Sequence, residues 1–160
     1  MTDAATKDLT QVTYADQAIF IERDFDAPIE RVFAAYTTAS AVENWWGPAR
    51  YETKVDKLDP RTGGEWRFVH PDPDGGVEYG FHGIFHTVEK NALIVQTFEY
   101  EGAPGHVSLE ILRFTDLGGR TRLNATSIHE APEALEAMKA SGMESGIRET
   151  YNRLAALTEA

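Results

Sequence analysis

The fold is decided by the last stretch of the chain, residues 141–160, which read SGMESGIRETYNRLAALTEA. Apolar side chains recur there at intervals of three or four residues, as Met143, Ile147, Tyr151, Leu154 and Leu157. This spacing places them on one face of a helix and leaves the charged residues largely on the other faces. We therefore predict a long amphipathic helix over residues 143–160.

The start of this helix is indicated by Ser141 and Glu144. A serine followed three residues later by a glutamate is typical of a capping box, in which each side chain bonds a backbone N–H at the helix start. Upstream of about residue 130 the sequence reads mostly as β-structure, apart from one short helical region. A helix that follows a run of strands must bury its apolar face, and the sheet is the only large partner available.

The composition is typical of one acidic domain. A chain of 160 residues is most simply a single domain, and we predict it over residues 17–160, after a partly ordered leader over residues 1–16. The formal net charge of −11 repels nucleic acids and anionic lipid surfaces, so neither is expected as a partner.

The sequence contains no cysteine, which excludes disulfides, thiolate metal sites and a cysteine nucleophile. The first residues lack the basic and apolar regions of a secretion signal, and no apolar run approaches the ~18 residues of a membrane span. We therefore expect a cytoplasmic protein without a membrane span.

The elements before the long helix can be placed in order. A first strand over residues 18–25 is followed by Asp26-Ala27-Pro28, which begins a helix that buries Ile29, Val32, Phe33 and Tyr36. A second short helix ends at Gly47-Pro48. Strands joined by short turns are then predicted over residues 51–58, 65–70, 77–89, 93–101, 106–114 and 120–129, and Pro132 opens a short helix.

The predicted fold class is α+β: a curved antiparallel sheet of about seven strands wraps around the long C-terminal helix, with two short helices after the first strand. A strongly twisted meander of this size curls, and a cavity is expected between the curled sheet and the helix. Gly80 and Gly83 predict a bulge or a close backbone approach in the strand over residues 77–89. A bulge would reverse the faces of the side chains that follow it.

Several motifs occur in an order and spacing typical of one superfamily. They are Phe25-Asp26-Ala27-Pro28 with Val32 and Phe33, Trp45-Trp46-Gly47-Pro48, Gly63-Gly64-Glu65-Trp66, the strand with Gly83, Gly119-Arg120-Thr121-Arg122-Leu123, and Ser141-Gly142-Met143-Glu144-Ser145-Gly146. Over residues 18–158 the chain resembles the START-like (SRPBCC) superfamily, which has the helix-grip fold. Within it, the chain is similar to the AHSA-type branch, which is related to the C-terminal domain of the activator of the Hsp90 ATPase.

The resemblance implies either a cavity for a small hydrophobic ligand or a protein-interaction module. Members of the superfamily include polyketide cyclases, lipid binders and many proteins without known activity. The co-chaperone also has a separate N-terminal domain that takes part in stimulating the ATPase, and we expect no such domain within these 160 residues. The resemblance therefore favours a small hydrophobic molecule as partner over a chaperone.

The histidines do not indicate a metal site. His82 and His86 are four residues apart, and on a strand this separation is about 13 Å, too far for two ligands of one zinc ion. His70, His106 and His129 are isolated in the sequence. No nucleophile elbow or phosphate-binding loop occurs, so no metal, cofactor or catalytic residue is predicted, and whether the protein is an enzyme stays open.

Aromatic residues are the best guide to the site. They cluster on elements expected around the space between sheet and helix, where they favour a mostly apolar pocket with a few polar points. The predicted cavity residues are Trp46, Trp66, Phe68, Tyr79, Phe81, Phe85, Phe98, His106, Met143, Ile147 and Tyr151. Trp45 and Trp46 are adjacent, so only one of them is expected to point inward. Polar groups considered for the cavity are Arg67, Glu99, His106, Asn124 and Ser127.

Three functions follow, in this order of preference. The first is a protein that binds a small hydrophobic or aromatic molecule in the cavity. The second is an enzyme of the polyketide cyclase or hydrolase kind, which needs a titratable group inside the cavity. The third is a protein-interaction module, with a chaperone as one partner, which needs an exposed apolar patch.

Overall fold

A computed structural model of the protein describes residues 9–160. Within this range the strands are β1 (Gln11–Ala15), β2 (Ala18–Phe25), β3 (Lys54–Leu58), β4 (Glu65–His70), β5 (Tyr79–Glu89), β6 (Leu93–Tyr100), β7 (Val107–Asp116) and β8 (Thr121–Ile128). The helices are α1 (Ile29–Thr37), α2 (Ala39–Trp45), α3 (Pro132–Ala140) and α4 (Met143–Thr158). None of the helices in this range is long and apolar enough to cross a membrane.

The strands form one antiparallel sheet in the order β1-β2-β8-β7-β6-β5-β4-β3. The sheet curves around α4, and α1 and α2 pack beside that helix. This arrangement confirms the predicted α+β class and helix-grip fold, with eight strands in place of about seven.

The additional strand, β1, lies inside the leader that was predicted over residues 1–16. Residues 1–8 of that leader lie outside the described residues. β1 pairs with β2 across the two-residue turn Asp16-Gln17, and Asp16 has a positive φ of 52°, as tight hairpin turns require. Val12 and Tyr14 alternate with exposed residues and pack against the core. This alternation covers only five residues, which is too short a signal to predict a strand from sequence.

The predicted capping box at Ser141 is wrong. Ser141 follows the end of α3, and its Oγ donates to the carbonyl oxygen of Met138 at 2.6 Å. Gly142 then takes the left-handed conformation, with φ of 85°, which ends α3 and redirects the chain into α4. Glu144 accepts a hydrogen bond from the hydroxyl of Tyr14 at 2.7 Å, so this side chain ties the start of α4 to β1.

The two ends of α4 are buried to different degrees. Near the C-terminal end, Leu154 is 0% exposed, and Thr158 is buried as well, with its hydroxyl donating to the carbonyl oxygen of Leu154 at 2.9 Å. Leu157, predicted on the buried face, is 37% exposed because the buried face continues through Thr158, four residues after Leu154. Near the other end, Met143 and Ile147 are only partly buried, so the helix packs tightly at its C-terminal end alone.

The glycines of β5 mark close contacts, and the bulge lies elsewhere. The pairing of β5 with β6 keeps its register through Gly80 and Gly83 and shifts only between Phe85 and Thr87. A Cβ atom on Gly83 would lie 1.8 Å from the backbone oxygen of Thr97, far inside van der Waals contact. Gly83 is therefore required by the close approach of the β6 backbone. Of the two sequence-based alternatives, a bulge or a close backbone approach, the second is the one observed at Gly83.

We expect Gly83→Ala to lower the free energy of unfolding by about 3 kcal/mol, because β5 and β6 must separate to admit the methyl group. Gly146→Ala is the matched control, since its Cβ meets nothing within 4 Å. Alanine favours the helix there, so this variant should be about 1 kcal/mol more stable than the wild type. Urea denaturation measures both, and equal effects of the two substitutions would contradict the assignment.

Candidate functional site

A cavity of about 310 Å³ lies between the inner face of the sheet and the N-terminal half of α4. It is partly open to solvent. Its helical wall includes Met143, Gly146 and Ile147 of α4, and Met138 of α3 closes another side. Because Leu154 and its neighbours are packed against the core, the cavity is confined to the end where α4 stands away from the sheet.

Most of the predicted cavity residues line this cavity. The structure brings together Trp46, Trp66, Phe68, Phe85, Phe98, Met143, Ile147 and Tyr151. Trp46 is the centre of an aromatic cluster, with ring centroids 5.1 Å from Phe68 and 6.4 Å from Trp66. The walls are therefore mainly aromatic on the side of β4, β5 and β6.

Three predicted residues do not line the cavity. Phe81 packs against Trp46, with 5.1 Å between the ring centroids. Trp46 lines the cavity, whereas Phe81 lies behind it. Tyr79 lies at the start of β5, partly exposed and against Tyr51. His106 is exposed in the turn before β7 and pairs with Glu130.

Both tryptophans of the adjacent pair face inward, contrary to the sequence-based expectation. Trp45 is 2% exposed and donates its indole N–H to the carbonyl oxygen of Ala35 at 2.8 Å. Trp46 is the first residue after α2, and its backbone is already extended. The change from helical to extended backbone turns both rings toward the cavity, an outcome that a regular helix would not allow.

The inner face of the sheet carries a row of polar residues across the cavity floor, here called the polar strip: Gln96 of β6, Glu110 of β7 and Ser127 of β8. The strand pairings set Gln96 opposite Glu110 and Glu110 opposite Ser127. Ile19 of β2 and Phe85 of β5 continue the row on either side. The cavity is thus apolar at its edges and polar along the middle of its floor.

Of the polar residues considered from the sequence, only Ser127 lies in the cavity wall. Glu99 follows Phe98, which faces inward, so Glu99 takes the outer face of β6. Arg67 pairs with Glu101, and Asn124 donates to Glu22. His106, as above, is exposed. Each of these four residues misses the cavity because its strand position or turn directs it away from the inner face.

Glu110 was not predicted, although it is the carboxylic residue of the cavity wall within residues 9–160. β7 has large apolar side chains on both faces, with Leu109 and Ile111 outward and Leu112 and Phe114 inward. Alternation within β7 therefore cannot show which face is inner. The signal that could have found Glu110 is the register of the β7–β8 hairpin, which sets Glu110 opposite Ser127.

The environment of Glu110 disfavours its charge. Its Oε1 accepts a hydrogen bond from Nε2 of Gln96 at 2.8 Å, and no lysine or arginine occurs among the described residues of the cavity wall. Burial raises the pKa of Glu110, and the Gln96 hydrogen bond offsets this in part. The carboxyl group therefore holds its proton to higher pH than an exposed glutamate does.

Two tyrosines cover the polar strip from the helical side. Tyr36 of α1 and Tyr151 of α4 both line the cavity, and their hydroxyl groups interact with each other. Burial raises the pKa of Tyr36 and of Tyr151, and the nearby Glu110 acts in the same direction on both. Both tyrosines therefore stay neutral across the physiological pH range.

His129 stands at the end of the same wall. Its Nε2 is buried without a hydrogen-bond partner in residues 9–160, and burial lowers the pKa of His129 below its ordinary value. His82 and His86, which the sequence analysis rejected as a metal pair, have separate partners: His82 contacts Glu99 and Glu101, whereas His86 contacts Thr87. In the described part of the chain, no cluster of three or more histidine, cysteine or acidic residues could hold a metal ion.

A helix gripped by a curved antiparallel sheet, with a cavity between them, is the architecture of the helix-grip proteins. Residues 26–159 match the AHSA1 family, described as activator of Hsp90 ATPase homolog 1-like protein. The chain therefore belongs to the AHSA1 family. Among curated proteins, none matches the chain.

Solved structures share the fold closely. A protein from Arthrobacter aurescens, with 25% identity, superposes with a TM-score of 0.85 over 94% of this chain and 91% of its own. A protein from Rhodobacter sphaeroides, with 24% identity, has a TM-score of 0.85 over 92% and 97%. DynU16, a protein in the dynemicin biosynthetic locus, has 18% identity and a TM-score of 0.67, and the alignment covers 91% of this chain and 48% of DynU16.

We expect Glu110→Gln to gain stability over the wild type as pH rises. The folded-state pKa of Glu110 lies above its value in the unfolded chain, so between those two values the folded state holds the extra proton. Each pH unit in that window costs the wild type about 1.4 kcal/mol of unfolding free energy, and the uncharged amide of the variant avoids the loss. Urea denaturation from about pH 4 to about pH 8, a range that spans the titration of a carboxyl group with a raised pKa, measures the difference.

The matched control is Glu78→Gln, which removes an exposed carboxyl group. Its stability should follow that of the wild type at every pH. A constant difference between wild type and Glu110→Gln over the same range would contradict the assigned environment of Glu110.

Proposed function

We propose that the protein binds a small hydrophobic or aromatic molecule, in the cytoplasm, within the cavity between the sheet and α4. The observation that carries the proposal is the unfilled space itself: Trp46, Phe68 and Met143 line it and leave about 310 Å³ open. This volume is at the lower end of the roughly 300–1,000 Å³ that ligand pockets occupy. A small molecule of one to three rings suits it.

Gly146 supports this proposal independently. Glycine inside a helix costs about 1 kcal/mol relative to alanine, and here it lies within the longest helix of the described chain. No neighbouring atom explains the missing side chain, because a Cβ at this position meets nothing within 4 Å. Gly146 lines the cavity, so the residue keeps space for a ligand.

We expect Gly146→Leu to weaken binding of the neutral fluorescent probe N-phenyl-1-naphthylamine by about tenfold or more, because the new side chain occupies the cavity. The control is Ala156→Leu, which adds the same side chain on the exposed face of α4. Probe fluorescence, excited by energy transfer from the three tryptophans that line the cavity, gives both dissociation constants. Equal affinities for the two variants, or no binding by the wild type, would overturn the proposal.

An enzyme of the polyketide cyclase or hydrolase kind is the second candidate. Glu110 favours it, since a carboxyl group with a raised pKa can both take a proton from an activated carbon and give one to a carbonyl oxygen. The locus of DynU16 agrees with such chemistry, although the similarity to that protein supports the fold alone.

We expect that, if the cavity is catalytic, the thioester of a linear β-polyketone cyclises faster with the wild type than in buffer. Glu110→Gln should then lower kcat by about 10²-fold or more, the usual contribution of a general acid–base group. Glu99→Gln, on the outer face of β6, should leave kcat unchanged. Product formation is followed by mass spectrometry, and a wild-type rate equal to that in buffer would exclude this substrate class.

Protein interaction is the third candidate from the sequence. The outer face of the sheet exposes apolar side chains, among them Phe20, Val107 and Leu109, and pairing sets Leu109 beside Ile128. The family description names an activator of the Hsp90 ATPase, which points to a chaperone as one such partner. We rank this candidate last because these residues are on the face opposite the cavity.

A further inference from the structure

The two oxygen atoms of Glu110 have different surroundings. Oε1 is held by Nε2 of Gln96 at 2.8 Å. Oε2 has no hydrogen-bond partner within residues 9–160. It is also not completely buried. Since Glu110 is part of the cavity wall, Oε2 is the atom that a ligand in the cavity can reach.

The surroundings of this carboxyl group favour its neutral, proton-donating form. Glu110 faces Gln96 and Ser127 on the sheet, Tyr36 on α1 and Tyr151 on α4, none of which is positively charged. His129, the remaining titratable group among the described residues of the wall, is held toward its neutral form by burial. A neutral carboxyl group kept in an apolar site is a strong hydrogen-bond donor.

The same surroundings disfavour the binding of anionic ligands in the cavity. A carboxylate ligand would need a lysine or arginine to compensate for its desolvation, and the cavity wall among the described residues contains neither. A ligand carboxylate beside Glu110 would also raise the free-energy cost of ionising Glu110, because two like charges repel each other. Fatty acids and other carboxylates that enter the cavity head-first are therefore disfavoured.

We propose that the cavity selects neutral, mainly apolar molecules with a hydrogen-bond-accepting oxygen, such as a ketone carbonyl, which accepts the hydrogen bond of Glu110. This inference rests on the proposed ligand-binding function and adds the chemical class of the ligand. Gln96 orients the carboxyl group by holding Oε1, while the aromatic residues bind the apolar part of the molecule.

Three naphthalene probes of matched size test this selection: 2-acetylnaphthalene, 2-ethylnaphthalene and 2-naphthoate. Isothermal titration calorimetry gives their affinities for the wild type, Glu110→Gln and Glu110→Leu. We expect Glu110→Leu to lower the affinity for the ketone about tenfold relative to the ethyl compound, because only the ketone loses a hydrogen bond. The amide introduced by Glu110→Gln can still donate an N–H, so the ketone affinity of that variant should stay within about threefold of the wild type.

The pH dependence provides a second readout that uses no destabilising variant. As pH rises and Glu110 loses its proton, the wild type should lose ketone affinity while Glu110→Gln keeps it. Neither Tyr36 nor Tyr151 titrates in that range, and His129 is present in both proteins, so the difference between wild type and Glu110→Gln reports on Glu110. For 2-naphthoate we expect an affinity at least about tenfold below that of the ketone.

Each failure has a distinct meaning. If Gly146→Leu abolishes binding of the probes but Glu110→Leu weakens ketone and ethyl compound equally, the role of Glu110 is overturned and the ligand-binding function stands. Equal affinity of the wild type for 2-naphthoate and 2-acetylnaphthalene would likewise overturn the role of Glu110 and leave the ligand-binding function standing. If none of the three probes binds the wild type, and N-phenyl-1-naphthylamine does not bind either, both proposals are overturned.

Discussion

The uneven packing of α4 on the curved sheet is the constraint on which the site depends. At its C-terminal end the helix is held by Leu154 and Thr158, both almost fully buried. At the other end, Met143, Gly146 and Ile147 face open space over the floor of the sheet. The start of α4 is instead held from the side, where Tyr14 of β1 donates to Glu144 and Arg148 donates to the carbonyl oxygen of Thr10 at 2.6 Å. These lateral contacts keep the helix in place without filling the cavity beneath it.

The chemistry of the cavity follows from what surrounds Glu110. A carboxyl group is costly to bury in charged form, and the usual remedy is a nearby arginine or lysine. The fold uses a neutral set of partners here, with Gln96 beside Glu110 and two tyrosines above it. Elsewhere the protein does pair its carboxylates with cations, as in Arg67 with Glu101 on the outer face. The two faces therefore differ in their electrostatics: the inner carboxyl group has neutral partners, whereas the outer carboxylate is paired with a cation.

Much of the fold follows from patterns in the sequence. The intervals between Met143, Ile147 and Tyr151 predicted α4, and the turn residues around Gly63-Gly64 and Gly118-Gly119 separated strands that do pair as a meander. The same reasoning failed at Ser141, because a serine–glutamate pair has the same spacing whether the serine caps the next helix or closes the previous one. It also missed β1, where only Val12 and Tyr14 carry the alternation.

What the sequence determined by itself is the set of elements apart from β1, and the aromatic character of the space between them, because both depend on local periodicity and on the side chains present. Only the tertiary structure decided which face of each strand is inner. β7 is apolar on both faces, so nothing local distinguishes Glu110 from its outward neighbours, and its place in the cavity is fixed by the pairing of β7 with β6 and β8. A polar row assembled from three strands is a property of their register, and register arises when distant parts of the chain meet.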